Sequence, residues 1–151
     1  MREEISAAMK EALRAKDQMA LSTMRLISAA LKDRDIAARS NGNADGIADD
    51  EILGLLQTMI KQRNESAKMY REGGRPELAD SEEQEISIIK QFLPEQLDEA
   101  GMADAIKKAI AETGASSVKD MGQVMAFLKK DYAGQMDFSS ASQAVKQALM
   151  G

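Results

Sequence analysis

The chain has 151 residues, of which 44% are hydrophobic, 30% charged and 3% aromatic. A composition rich in Ala, Met, Leu, Lys, Glu and Gln favours helix over sheet, and the length allows one ordinary domain or two small ones. The absence of His and Cys excludes histidine-based catalytic triads, thiolate nucleophiles, disulfides and iron–sulfur clusters. The net charge of −5 means that any nucleic-acid contact requires a local basic patch.

The beginning of the chain is predicted to form two amphipathic helices. A stripe at helical spacing predicts the buried face of the first helix: Ile5, Ala8, Met9, Ala12 and Leu13. The second helix is expected to run to about residue 39 and to bury Leu21, Met24, Ile27 and Leu31. Its solvent side carries three basic residues at seven-residue spacing, nearly on one line, which form a candidate secondary basic surface: Arg25, Lys32 and Arg39.

Turn residues delimit a third helix. Asn-Gly and Asp-Gly pairs mark a loop at residues 40–48, Asp49 is the expected N-cap, and a glycine pair beginning at Gly73 ends the helix. A polar block in this helix adds Lys61 and Arg63 to the candidate basic surface. Arg63 lies on the apolar stripe of the helix, and a buried arginine requires a partner.

The remaining helices are predicted from proline positions and capping residues. Pro76 suits the first turn of a fourth helix, which Pro94 closes. Three short helices are then expected to begin near Asp98, at the Ser117-x-x-Asp120 motif and near Asp137. The predicted fold class is therefore all-α. A bundle of about four helices at residues 1–93 is followed by a small three-helix subdomain at residues 94–151.

The strongest local peculiarity is the segment KDMGQVM at residues 119–125. Gly122 lies inside the best helical stripe of the second half, where a glycine costs about 1 kcal/mol relative to alanine. Such a glycine allows either a neighbouring helix or a partner molecule to approach closely, and the sequence leaves both explanations open. Lys119, Lys129 and Lys130 are placed to flank a phosphate-bearing partner.

Acidic clusters are the other possible source of chemistry. Glu82, Glu83 and Glu85 lie near Arg75, and an acidic helical turn with a salt bridge to Arg75 is favoured over a metal site or an acid–base pair. The acidic residues at 45–51 lack the order of a calcium-binding loop, and no glycine-rich phosphate motif occurs. We predict no catalytic residue, no metal and no cofactor.

Several segments together resemble the GatB/YqeY family: LSTMRLI at 21–27, IKQRNES at 60–66, GRPEL at 74–78, EI at 85–86 with FLP at 92–94, and KDMGQVM at 119–125. They occur in family order and cover essentially the whole chain. The resemblance implies two helical subdomains equivalent to the C-terminal part of the B subunit of the glutamine-dependent tRNA amidotransferase. In that enzyme a catalytic cradle phosphorylates and amidates Glu or Asp attached to tRNA, while the helical tail grips the tRNA.

By this resemblance, the chain looks like the tRNA grip without the catalytic cradle. The family label, carbon–nitrogen ligase with glutamine as amido donor, follows from the resemblance alone. The residues that it implies for tRNA contact, together with one neighbouring lysine, are Lys119, Gly122, Gln123, Met125, Lys129 and Lys130. The chain departs from related sequences in the segment after Gly134, where they often carry a small residue at the Met136 position and often an additional basic residue nearby.

We therefore expect an accessory tRNA-binding protein that has no catalytic site of its own. Its partner is expected to be tRNA or a translation-related protein, with no membrane; its oligomeric state is not predicted. A cytoplasmic location is expected because there is no Cys, no apolar run near 18 residues, and an amphipathic start in place of a basic-then-apolar leader. Two alternatives stay open: a protein–protein adaptor, favoured by the acidic charge and 11 Met, and an amidotransferase component active only with other subunits.

Overall fold

The computed structural model describes residues 1–150, which form helices and connecting turns without any strand. In chain order the helices are α1 (Arg2–Arg14), α2 (Gln18–Ser40), α3 (Asp49–Glu72), α4 (Pro76–Lys90), α5 (Glu99–Thr113), α6 (Met121–Asp131) and α7 (Phe138–Met150). A single 3-10 turn, Val118–Asp120, precedes α6. The predicted all-α class, with four helices followed by three more, is confirmed.

The chain divides into two compact units, Met1–Leu93 and Pro94–Gly151. Each unit has a hydrophobic core of its own. The first core includes Met24, Ile27, Ile52, Leu56 and Ile89, none of which is more than 1% exposed. The second core, which is smaller, includes Ala109, Val124, Leu128, Ala141 and Val145.

The periodicity in α1 predicts the burial of Ile5 correctly but not that of Leu13. Ile5 is buried, whereas Leu13 is 59% exposed. Eight residues along a helix correspond to a rotation of about 80° from Ile5, while the seven residues to Ala12 bring it back within about 20°. Ala12 is accordingly buried near the end of α1, and the larger Leu13 turns towards solvent.

The N-cap of α3 lies one residue earlier than the predicted Asp49. Ala48 is the N-cap, with extended backbone, and Asp49 is the first helical residue. The Glu51 side chain accepts a hydrogen bond from the Ala48 N–H at 3.5 Å. Asp49, Asp50 and Glu51 therefore all lie in the first turn, where their negative charge interacts favourably with the helix dipole.

A charge-assisted clamp ties the start of α1 to α2 and to the loop before α3. Arg2 Nη1 donates to Asp35 Oδ2 at 2.6 Å, and Arg2 Nη2 donates to Asp35 Oδ1 at 2.8 Å. Arg2 Nη2 also donates to the Ile47 carbonyl at 2.8 Å, and the Ile47 N–H donates to Asp35 Oδ1 at 3.0 Å. The hydrogen bond from Arg2, followed by that from Ile47, lowers the pKa of Asp35 to about 2.

This clamp makes the first unit sensitive to acid. The Asp35 pKa is about 2 in the folded protein and about 3.9 for an unfolded chain. Its stabilisation is therefore present above the unfolded value and is lost as the pH falls through the folded value. We expect ionised Asp35 to contribute about 1–2 kcal/mol to the free energy of unfolding of this unit, after allowing for solvent screening at Arg2.

The measurement is urea unfolding of the wild-type protein and Asp35→Asn from about pH 5 down to about pH 2. The difference in unfolding free energy between the two proteins should shrink across this range, since protonated Asp35 no longer holds Arg2 as a charged partner. A difference that stays constant with pH would contradict the assignment of the stabilisation to the Asp35 carboxylate.

Candidate nucleic-acid interface

The segment singled out in the sequence begins with a capped turn. Asp120 Oδ2 accepts hydrogen bonds from the Ser116 N–H at 2.9 Å and from the Ser117 N–H at 3.2 Å. These bonds, with that from Ser116 the larger, lower the pKa of Asp120. The predicted Ser117-x-x-Asp120 cap is therefore confirmed. It closes a 3-10 turn, and α6 itself starts at the next residue, Met121.

One face of α6 holds the helix in its unit. Val124 and Leu128 are fully buried on this face, in the same core as Ala109 on α5 and Val145 on α7. Met125 is partly buried and packs against that core. Among the predicted contact residues, Met125 is thus the one that contributes to internal packing.

The opposite face of α6 lies in solvent. At about 100° per residue, Gly122, Ala126 and Lys129 fall within about 60° of one another around the helix axis. Gln123 and Lys130 lie next to this strip, and all five residues are exposed. Ala126 was not among the predicted contact residues, although it lies four residues after Gly122 and therefore on the same helical face. The strip presents little side-chain bulk and ends in two lysines.

Lys119 adds a further positive charge before the helix. It is exposed and lies in the 3-10 turn, three residues ahead of Gly122. Lys119, Gly122, Gln123, Lys129 and Lys130 are therefore all exposed within one short segment, residues 119–130.

Gly122 has no packing role within its unit. A Cβ atom built on Gly122 would find no atom of its own unit within 4 Å, and the residue is exposed. Close packing of a neighbouring helix, one of the two explanations for this glycine, is therefore wrong for the unit that contains it. The space beside Gly122 is open to solvent.

Met136 marks the departure from related sequences, and it does not lie on this face. Its side chain is 2% exposed and belongs to the core of the second unit. Met136 therefore contributes to the interior of the unit and not to the exposed face of α6.

The candidate secondary basic surface is only partly present. Arg25, Lys32, Arg39 and Lys61 are exposed. Arg63 is not available, because its side chain is 13% exposed and its Nε donates to Glu85 Oε2 at 2.8 Å. Its Nη1 also donates to the Met59 carbonyl at 3.1 Å. The expectation that a buried Arg63 needs a partner is confirmed, and its inclusion in the basic surface is wrong.

The acidic cluster of α4 is engaged with arginines other than the one expected. Glu85 binds Arg63, and Glu83 accepts a hydrogen bond from Arg71 at 2.7 Å. Burial and the nearby Glu85 raise the pKa of Glu82. Within residues 1–150 no group of three or more carboxylates is placed to hold a metal ion.

Comparison with known proteins identifies the family. A family model described as Yqey-like protein matches residues 2–149. The chain belongs to this family. The match confirms the resemblance drawn from the sequence segments.

Relatives of this YqeY-like chain include proteins named "Altered inheritance of mitochondria protein 41, mitochondrial". The one from Lachancea thermotolerans is 27% identical over 149 residues, which cover 94% of this chain and 75% of the relative. The one from Clavispora lusitaniae is 34% identical over 85 residues, covering 56% of this chain and 46% of the relative. The one from Vanderwaltozyma polyspora is 29% identical over 85 residues, covering 56% and 44%. The YqeY-like chain thus spans less than half the length of the last two.

Across residues 1–150 of the YqeY-like chain, none of the helices combines the length and the apolar character that crossing a bilayer demands.

Proposed function

We propose that this chain is an accessory tRNA-binding protein that contacts RNA through the exposed face of α6 and has no catalytic site of its own. The observation that carries the proposal is Gly122, an exposed helical glycine with open space around its Cα. Glycine at this position lowers helix stability, and its own unit makes no use of the space. A partner whose backbone comes close to the helix explains why the cost is tolerated.

The charges around Gly122 favour a phosphate-bearing partner. Lys119, Lys129 and Lys130 concentrate positive charge on a protein whose net charge is −5. Lysines at the border of a bare helical strip are suited to the phosphates of a nucleic-acid backbone. Phe127 and Tyr132 are partly buried against the core, so the face offers no free aromatic platform for stacking bases. Recognition would therefore depend on backbone charge and shape.

The choice of tRNA rests on the resemblance to the tail of the amidotransferase B subunit. The proposal assigns tRNA binding to this chain. It does not assign the carbon–nitrogen ligase chemistry, which belongs to the parts of that enzyme that this chain does not resemble. In the alternative, the chain is a component of an amidotransferase, and amidation would appear only after the glutaminase and kinase subunits are added.

We also propose the cytoplasm as the compartment in which this tRNA binding takes place. The word mitochondrial in the name of the relatives favours the mitochondrion instead. Fractionation of cells that express the natural protein with a C-terminal tag distinguishes the two compartments.

The first test is fluorescence anisotropy of the full chain with bulk tRNA at several salt concentrations. We expect saturable binding that weakens as salt increases. Double charge reversal, Lys119→Glu with Lys129→Glu, should weaken binding by roughly tenfold or more and reduce the slope of log K against log salt by about two.

The matched control reverses two other exposed lysines of the same unit, Lys107→Glu with Lys108→Glu on α5. This variant has the same net charge as the test variant, so a general electrostatic effect would weaken both equally. Equal losses in the two variants, or no salt-dependent binding by the wild-type protein, would overturn the proposal.

A second test separates the helix-stability cost of Gly122 from its role in binding. Gly122→Ala should stabilise the second unit by up to about 1 kcal/mol, because alanine is the better helix former and its Cβ meets nothing. The same substitution should weaken tRNA binding, and Gly122→Leu should weaken it further by holding the partner away from the helix.

The control for this pair is Gly54→Ala on α3, an exposed helical glycine that also has open space around it. It should gain stability by a similar amount without a change in tRNA affinity. Thermal unfolding and anisotropy are measured for each variant. Unchanged tRNA affinity in both Gly122 variants would contradict the proposal that RNA approaches α6 closely at Gly122.

A further inference from the structure

Helices α1 and α2 border an open groove of about 510 Å³ in the first unit. Its hydrocarbon lining comes from both helices: Ile5 and Met9 on α1, and Leu31 and Ile36 on α2. Ile5 and Leu31 are buried at the base, whereas Ile36 is 49% exposed on the wall. A large aliphatic side chain so exposed beside a concave apolar surface indicates a place where another apolar group packs.

Two cations border this apolar surface. Lys32 and Arg39 line the groove from α2 and are exposed. The groove also contains Arg2 and Asp35, but these bind each other in the clamp, so their charges largely cancel. The ion pairs formed among residues 1–150 involve neither Lys32 nor Arg39. Arg39 also interacts electrostatically with Asp35. With Arg2, Lys32 and Arg39 against Asp35, the groove combines a hydrocarbon lining with a net positive charge.

We propose that this groove binds an amphipathic helix of a partner protein, whose apolar side chains enter between α1 and α2. Acidic residues of that helix would face Lys32 and Arg39. These two cations are seven residues apart on α2, which corresponds to about 10 Å or two helical turns. A docked helix presents apolar anchors at i, i+4 and i+7, and the span from i to i+7 covers the same distance, with its acidic residues beside them.

The hydrocarbon lining distinguishes this partner from nucleic acid. A phosphate backbone would satisfy Lys32 and Arg39 but would leave Ile36 and Met9 facing polar sugar and phosphate groups. The concave form likewise suits a rod-shaped partner better than a lipid surface, because a groove between two helices does not lie flat on a bilayer. The inference is independent of the tRNA contact proposed for α6, which lies in the other unit.

The test is selection of a displayed library of helical peptides on the immobilised full chain, with counter-selection on Ile36→Gln. The enriched peptides are expected to carry Asp or Glu next to apolar residues at i and i+4. Their affinity is then measured by anisotropy with the wild-type protein, with Lys32→Glu plus Arg39→Glu, and with Ile36→Gln. Both variants should bind at least roughly tenfold more weakly than the wild type.

The matched control is Lys68→Glu with Lys90→Glu, which reverses two exposed charges of the same unit outside the groove lining. It should leave peptide affinity unchanged, and circular dichroism checks that every variant is folded. Enriched peptides without an acidic bias, equal binding to Ile36→Gln, or no enrichment would overturn the proposal. So would binding of tRNA or anionic phospholipid vesicles that is lost in the Lys32 and Arg39 double variant.

Discussion

Gly46→Ala is expected to destabilise the first unit by about 2–4 kcal/mol. Gly46 has a φ of +83°, a conformation in which an L residue with a Cβ is strained. The added Cβ would also collide with the Asp35 carboxylate. That carboxylate cannot move freely, because Arg2 and the Ile47 N–H hold it through hydrogen bonds. The variant must therefore strain the loop or open the clamp.

Gly42→Ala provides the control for this experiment. Gly42 lies in the same loop with a φ of +91°, but a Cβ there would meet no atom within 4 Å. Gly42→Ala should lower the free energy of unfolding only by the cost of placing alanine at a positive φ, about 1–2 kcal/mol. Amide hydrogen exchange in α1 to α4 measures the stability of this unit separately from the other. Equal losses in the two variants would show that the contact between Gly46 and Asp35 contributes nothing.

The clamp illustrates what the sequence does and does not predict. The Asn-Gly and Asp-Gly pairs predict a turn-rich loop, because positive φ is a local property of glycine. That Gly46 lies against Asp35 depends on how α1, α2 and the loop pack, and no residue spacing encodes this arrangement. The groove between α1 and α2 was missed for the same reason.

Apart from Asp49, which is the first residue of α3 and not its cap, the predicted capping residues are confirmed, because a cap involves only neighbouring residues. Asp98 accepts a hydrogen bond from the Gly101 N–H at 2.7 Å, and Asp137 accepts one from the Ser139 N–H at 3.0 Å. Pro76 is the first residue of α4, as proline preferences predict. Each of these contacts spans at most three residues, so the sequence contains all the information needed.

The candidate site on α6 is predicted from the sequence only in part. The helical stripe predicts that Val124 and Leu128 turn inwards, which leaves Gly122 on or near the opposite face. Periodicity alone does not decide between a neighbouring helix and an external partner beside that glycine. The open space around Gly122 excludes a neighbouring helix of the same unit, and it is a property of the packed structure.

Glu85→Ala is expected to destabilise the first unit by about 2–3 kcal/mol, because it leaves the Arg63 guanidinium without its acidic partner. The two side chains are 20% and 13% exposed, so water replaces the lost hydrogen bond poorly. Arg63 lies next to buried Met59 and Ile60 on the inner side of α3, where an unpaired charge is unfavourable.

A surface ion pair on the same helix supplies the comparison. Glu83→Ala breaks the pair with Arg71, whose side chains are 54% and 45% exposed, and should cost less than about 1 kcal/mol. Replacing both members of the inner pair, as Arg63→Met with Glu85→Leu, should recover most of the stability lost in Glu85→Ala, since no buried charge is left behind. Amide hydrogen exchange in α3 and α4 measures all three variants. Similar losses in Glu85→Ala and Glu83→Ala would mean that the inner pair is as well solvated as the outer one, and that Arg63 could after all reach solvent as a surface cation.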